Sequence, residues 1–366
     1  MNVALRVDGS GQLGNGHLAR CLTLAKALRD QGFSCVFILR PLPGLWQNSI
    51  LSAGFTCLFL SADELTQIED ANQSAALARE YFNANSDTKI LWILDVYQLD
   101  ASWHKVIRAA HYPLMLIDDL ANRDYCADVL LDQTPMRSAQ DYAGRVNAHC
   151  QLWVGADYAL LREEFSELRD AAKRQRASAL SRTPKKILIS LGGTDPHNYS
   201  ASILQYLARA PNFSDRLIII VLASNAPHLT AVSKLCSEYN NVTLQIDVQD
   251  MAALLLDATI SLGAAGVSAI ERASLGLPSL NFITADNQRL LAKNLAEQGC
   301  ALNLGHCDEN GLQTMLQELE QLMESNQRYQ AMTNSGFALG SARGAQTTAQ
   351  LLKDVFTAGG NLEGSV

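Results

Sequence analysis

Among the residues able to move a proton, His17 stands in the most informative place. It follows a strand-like run over 2–7 and the small-residue turn Asp8-Gly9-Ser10-Gly11-Gln12-Leu13-Gly14-Asn15-Gly16. After it comes a helical pattern with Leu18, Cys21, Leu22, Leu24, Ala25 and Leu28 as the apolar positions. Glycines let a chain turn sharply and bring its backbone close to a ligand. The free N–H groups and dipole of the helix that follows favour an anion, so a phosphate or diphosphate suits Gly14 and Gly16. The same dipole disfavours imidazolium and keeps a neutral His17 available as a base. A histidine that only caps or packs at the helix start fits the position as well. Gly14-x-Gly16-x-x-Ala19 also satisfies a dinucleotide fingerprint, but Arg40 stands where an acidic ribose ligand is wanted, which suits only NADP.

The second half of the chain repeats this arrangement twice. A strand over 187–191 ends in Gly192-Gly193-Thr194-Asp195-Pro196-His197-Asn198, where Gly193 is a ligand candidate and Asp195 or Asn198 a plain helix cap. A strand over 258–263 runs into Gly263-Ala264-Ala265-Gly266-Val267-Ser268, with Glu271 about one turn inside the next helix. Gly266, Val267 and Ser268 can offer N–H groups to a diphosphate. Helical side chains lean toward the N-terminus, so Glu271 points back toward the same ligand and can accept both ribose hydroxyls. The bland alternative is a surface glutamate favoured by the helix dipole by about 0.3–1 kcal/mol. Finally a strand over 279–283 ends in Thr284-Ala285-Asp286-Asn287-Gln288, whose two amides can bind sugar hydroxyl or acetamido groups or simply cap a helix.

These turns need strands before them and helices after them, and the pattern supplies both. Apolar runs predict strands over 2–7, 35–40, 56–60, 90–95, 114–118, 128–131 and 151–154, with helices over 17–30, 71–84 and 101–110. A polar, basic stretch over 165–186, interrupted by Pro184, reads as a helix leading into a linker. The alternation then restarts, with strands over 187–191, 217–222, 242–247, 258–263, 279–283 and 300–304. Helices are predicted over 199–209, 226–239, 248–256, 266–275, 285–298, 309–325 and 344–356, before a frayed tail. Strands alternating with helices predict an α/β protein made of two doubly wound, Rossmann-like domains. Ligands of such sheets bind outside the carboxyl ends of the strands, where all of these turns lie.

The 366 residues suffice for two domains, and a hydrophobic fraction of 48% excludes a disordered chain. Lys+Arg number 29 and Asp+Glu 37, a net charge of −8, which argues against binding to nucleic acid or to an anionic membrane surface. The eight cysteines show no C-x-x-C pair and no Asp-rich metal motif is evident, so no metal and no cofactor are expected. Without a signal-like start or a long apolar run, the chain reads as cytoplasmic. No obligate protein partner is evident.

Taken together, these residues resemble a known family. Gly14-x-Gly16-His17-x-x-Arg20-Cys21-Leu22, Asp95-x-Tyr97-x-Leu99-Asp100, Ile117-Asp118-Asp119-Leu120-Ala121, Leu131-Asp132-Gln133 and Gly155-x-x-Tyr158-Ala159-Leu160-Leu161-Arg162 occur in order. Gly192-Gly193-x-Asp195, Gly263-Ala264-Ala265-Gly266 with Glu271-Arg272, and Ala285-Asp286-Asn287-Gln288 follow. The set is similar to the PseG family, UDP-sugar hydrolases of pseudaminic acid biosynthesis, themselves similar to MurG-type glycosyltransferases. The resemblance implies the GT-B architecture, two Rossmann-like domains facing across a cleft. It implies that water attacks the anomeric carbon of a UDP-linked 2,4-diacetamido-2,4,6-trideoxyhexose, with inversion and release of UDP. On that basis His17 matches the general base, Asn287 a polar residue near the reacting centre, Tyr97 a sugar-side position and Glu271 the ribose ligand. Gly14, Gly16, Gly193, Gly266, Val267, Ser268 and Gln288 match the remaining substrate and UDP contacts. The implied layout is a catalytic domain over 1–165, a linker over 166–185 and a UDP-binding domain over 186–340. A helix over 341–356 is expected to return to the first domain, ahead of a flexible tail over 357–366. Residues 133–150 are an insertion without an assigned role. The competing readings are a GT-B glycosyltransferase with a UDP-sugar donor, an NADP oxidoreductase and a non-catalytic nucleotide-sugar sensor.

Overall fold

The computed structural model describes residues 1–8, 16–41, 46–61, 64–85, 88–181 and 185–357. The chain divides into two units, Met1–Arg162 with Arg343–Val366, and Glu163–Ala342. The first unit runs β1 (Asn2–Val7), α1 (Gly16–Asp30), β2 (Ser34–Leu39), α2 (Trp46–Ser52), β3 (Thr56–Phe59), α3 (Gln67–Tyr81), β4 (Ile90–Asp95), α4 (Ala101–Ala109), β5 (Leu114–Ile117), β6 (Val129–Asp132) and β7 (Gln151–Val154). The second begins with α5 (Glu163–Glu167) and α6 (Arg169–Arg176), then β8 (Lys185–Ser190), α7 (Tyr199–Leu207), β9 (Arg216–Leu222), α8 (Leu229–Cys236) and β10 (Val242–Ile246). It continues through α9 (Met251–Asp257), β11 (Ile260–Ala264), α10 (Val267–Ser274), β12 (Ser279–Ile283), α11 (Arg289–Glu297), β13 (Leu302–His306), α12 (Glu309–Glu324) and α13 (Asn326–Ala338). Helix α14 (Gly344–Thr357) returns to the first unit.

Both sheets are parallel and doubly wound, as the alternation of apolar runs predicts. The first has the order β3-β2-β1-β4-β5-β6-β7 and the second β10-β9-β8-β11-β12-β13. In each, the order reverses between the first strand and the fourth: β1 pairs with β4, and β8 with β11. The helices that follow those two strands leave in opposite directions, and the crevice between them is where such sheets take ligands. The central strands are apolar on both faces because helices cover both. Val3, Ala4, Leu5 and Val7 of β1 are fully buried, as are Ile187, Leu188 and Ile189 of β8.

Helix α2 falls where no helix is predicted, and three further stretches differ from the periodicity reading. Helix α3 starts at Gln67, ahead of the predicted residue 71, because Thr66 and Glu69 form a reciprocal capping box. Helix α13 falls where no helix is predicted, since its buried face is Tyr329, Met332, Thr333 and Gly336, partly small and polar. Residues 166–185, read as a helix leading into a linker, hold the end of α5 and all of α6 within the second unit. Phe165 is fully buried there, and the Arg176 guanidinium donates to the carbonyls of Leu255, Ala258 and Leu275. A helix that polar is held by such bonds rather than by an apolar stripe, and it falls in the stretch that reads as a helix leading into a linker.

Helix α14 packs against α1: Ala345, Ala349 and Leu352 are buried in one cluster with Leu18, Cys21, Leu24 and Leu28. Gly344 is required at its start, because a Cβ there would stand 2.3 Å from the Ala159 carbonyl. The 133–150 segment turns back onto the carboxyl end of its sheet. Tyr142 donates to Asp132 (2.8 Å), and Arg137 donates to Asp132 (2.6 Å) and to the Asp119 carbonyl (2.7 Å). The expected tail, beyond Thr357, lies outside the described residues.

Candidate active site

In the first unit the reversal of strand order sets the ends of β1 and β4 side by side, with Val7 in register with Asp95. The α1 helix starting at Gly16 places His17, Arg20 and Cys21, about one turn apart, over the Asp95 carboxylate. His17 Nδ1 lies 2.7 Å from Asp95 Oδ1, and Arg20 clamps the same carboxylate with Nε and Nη2, each at 2.6 Å. Arg20 Nη2 is also 3.0 Å from His17 Nδ1. Because Nη2 already donates to Asp95, that approach is a contact, and the Nδ1 proton is given to Asp95. This leaves the His17 Nε2 lone pair as the ring's acceptor, with no hydrogen bond to any described residue.

The Asp95 carboxylate is fully buried. Burial alone would raise its pKa, but the Arg20 guanidinium and His17 beside it hold it below the ordinary carboxylate range. Arg20 is itself 2% exposed and extends Nη1 to Asp119 Oδ2 at 2.9 Å. Asp119 accepts a short hydrogen bond from the Tyr97 hydroxyl. Burial and then Asp119 push the Tyr97 phenol well up, so it stays a donor. The Tyr97 ring stands edge-on to the His17 ring at 4.5 Å between centroids. His17, at 9% side-chain exposure, is thus faced by the Tyr97 ring and tethered to Asp95. In this unit His17 and Tyr97 come together at the sheet's carboxyl edge, with Gly16 beginning α1. Gly14 lies outside the described residues.

In the second unit, β11 leads through Ala265 to Gly266, whose extended backbone (φ −90°, ψ −163°) caps α10 without a side-chain hydrogen bond. Val267 and Ser268 open the helix and Glu271 follows one turn in, half-buried. Gln288, from the loop after β12, accepts from the Thr284 N–H and hydroxyl through Oε1 (3.0 and 3.1 Å). That fixes the amide so that Nε2 lies 3.7 Å from where a Gly266 Cβ would stand. Gly266, Val267, Ser268 and Gln288 are therefore one cluster, and Asn287 beside Gln288 is exposed.

The Gly193 turn is different in kind. Its carbonyl accepts from Ala223 (2.7 Å), and Asp195 is buried, accepting from Tyr199 and Ser200 N–H at 3.0 and 2.8 Å. Asp195 thus caps α7, the plain alternative that its sequence position allows.

Sequence reasoning singles out His17 but assigns no role to Asp95, Arg20 or Asp119, although all three stand in the quoted motifs. The signal for the two carboxylates is an acidic residue at the end of β4, Asp95, and just past the end of the neighbouring β5, Asp119. Among the described residues no group of His, Cys, Asp or Glu is arranged to hold a metal, and no helix is long and apolar enough to cross a membrane.

Two parallel Rossmann-type sheets of this order are the GT-B fold, and solved structures share it across nearly the whole chain. MurG from Acinetobacter baumannii superposes with a TM-score of 0.64 at 16% identity, covering 97% of this chain and 100% of that one. UDP-GlcNAc 2-epimerase from Neisseria meningitidis, solved with UDP-GlcNAc bound, gives 0.65 at 16% identity, covering 96% and 100%. In sequence the chain is similar to the UDP-2,4-diacetamido-2,4,6-trideoxy-beta-L-altropyranose hydrolase of Campylobacter jejuni. The two are 28% identical over 300 residues, which is 82% of this chain and 97% of that protein. The resemblance read from the motifs thus extends along most of the chain. No protein-family model matches it.

Proposed function

We propose that this protein is a UDP-sugar hydrolase acting on a UDP-linked 2,4-diacetamido-2,4,6-trideoxyhexose. The observation that carries the chemistry is the contact of His17 Nδ1 with the buried Asp95 carboxylate at 2.7 Å. It fixes the tautomer with a basic Nε2, and the Arg20 clamp keeps Asp95 ionised. Water gives its proton to His17 Nε2 as its oxygen bonds to the anomeric carbon. The C1–O bond breaks with inversion, and its electron pair leaves on UDP. Tyr97, held by Asp119, borders the sugar, and Asn287 contacts it near the reacting carbon.

The second unit is assigned the nucleotide. N–H groups at Gly266, Val267 and Ser268 and the Gln288 amide meet the diphosphate, and Glu271 accepts from the ribose hydroxyls. Gly14, Gly16 and Gly193 complete the contacts. Charge on the departing diphosphate is met by oriented N–H groups, so no metal is required. This work belongs to the reducing cytoplasm, in keeping with eight cysteines that are all free.

The test is incubation of the wild-type protein and His17→Phe with the UDP-sugar alone. UDP release by the wild type and none by the variant, with UDP affinity little changed, supports the reading. Release only when a sugar acceptor is added would assign the chain to the glycosyltransferases, and equal release by the variant would remove His17 from the chemistry.

A further inference from the structure

Arg272, in α10, is 1% exposed, and no described carboxylate lies within ion-pair distance of it. The other deeply buried arginines with ion pairs face carboxylates: Arg6 meets Asp8 and Asp70, Arg20 meets Asp95 and Asp119, and Arg216 meets Glu320. Arg272 instead turns back along its helix, as helical side chains do. Its Nη2 donates to the Ala264 carbonyl (2.6 Å) and Asn281 Oδ1 (2.7 Å), and its Nη1 lies 3.3 Å from Ser268 Oγ. The Nε–H is buried without a partner. A cation therefore sits beside the N-terminal end of its own helix, where the dipole opposes it and an anion is favoured.

The sheet makes room for it. Gly263 is in register with Ser190 on one side and Asn281 on the other, and a Cβ at Gly263 would stand 2.6 Å from Arg272 Nη1 and 2.9 Å from the Ser190 carbonyl. Burial pushes the Arg272 pKa down, to about 10, with Glu271 opposing, so the group stays charged at neutral pH. A buried lone charge is costly unless something of opposite sign completes it.

We infer that Arg272 is a positioning residue for the diphosphate. Its fixed charge lies under the Gly263–Ser268 turn and acts, through Ser268 and the Ala264 carbonyl, on the phosphates that the turn binds. The inference rests on the assignment of UDP to this turn, and it makes the guanidinium, rather than a metal or a surface lysine, the positive charge that meets the diphosphate. It separates binding of the phosphates from binding of the nucleoside.

The experiment compares UDP with uridine on the full-length protein by titration followed by NMR. Arg272→Met is expected to weaken UDP about tenfold while uridine affinity changes less than twofold, and Arg272→Lys to recover most of the UDP loss. Equal losses for UDP and uridine, or no loss of either in a folded Arg272→Met, would overturn the inference and leave Arg272 as a structural tie. Should the variants not fold, the wild-type protein decides: the Arg272 Nε–H resonance is expected to shift with UDP and not with uridine. A resonance unmoved by bound UDP overturns the inference. A wild type that binds no UDP at all would instead remove the function proposed above.

Discussion

A general base needs one nitrogen lone pair available and the proton on the other nitrogen fixed. His17 gains the second condition from Asp95, and Asp95 is kept ionised by Arg20. Replacing Asp95 by Asn keeps the shape, removes the charge and lets the ring take the wrong tautomer. Asp95→Asn is expected to lower kcat by about 10²–10⁴, the range general-base catalysis supplies, with little change in UDP affinity. Stopped assays of UDP release and UDP titration read the two effects separately. Glu271→Ala is expected to weaken UDP about tenfold, as loss of a charged acceptor for ribose hydroxyls does, and unchanged affinity would contradict the ribose role. At this scale the sequence makes His17 legible by its place after a glycine turn. Asp95 is not legible in the same way, because the contact spans 78 residues and depends on β4 pairing with β1.

Elements were legible where apolar residues repeat and hidden where polar bonds do the holding. Among the described residues all thirteen strands fall on or within a few residues of apolar runs in the sequence, because parallel strands covered on both faces are apolar throughout. The α2 and α13 helices escape, the first being only seven residues long and the second resting partly on small and polar residues, while α6, tied by Arg176, falls in the stretch read as a helix leading into a linker. The α13 contact gives an element-scale prediction. A Cβ at Gly336 would stand 2.7 Å from the Ala273 carbonyl and 3.3 Å from Gly276 Cα, both backbone atoms that cannot yield cheaply. Gly336→Ala is expected to destabilise the second unit by about 1–3 kcal/mol, seen as a lower urea midpoint. An unchanged midpoint would mean that α10 and α13 separate freely.

For the whole molecule, acid stability is set in part by a buried histidine with no role assigned in the site. His104 is fully buried, and its Nδ1 accepts from the Cys126 N–H. Burial, with Arg123 adding to it, pushes its pKa down to about 4. The unfolded chain takes up this proton below about pH 6.5 while the folded chain resists until about pH 4. Its contribution to stability is therefore full above 6.5 and is lost as the pH falls through that window, by up to about 3 kcal/mol. Urea unfolding from pH 7 to pH 4 is expected to show that decline in the wild type and a shallower one in His104→Gln. Parallel curves would remove His104 from the account. The division into two units of similar architecture was legible from the restart of the strand pattern after residue 186, while the end of the chain crossing back to the first unit depends on α14 meeting α1, a contact that no local pattern encodes.

The most direct test of the central claim is a single turnover of the UDP-sugar in ¹⁸O-labelled water. The account predicts the label at C1 of the released sugar, none in UDP, and a first-formed anomer of inverted configuration by ¹H NMR. Label in the UDP phosphate, or retention at C1, would contradict it.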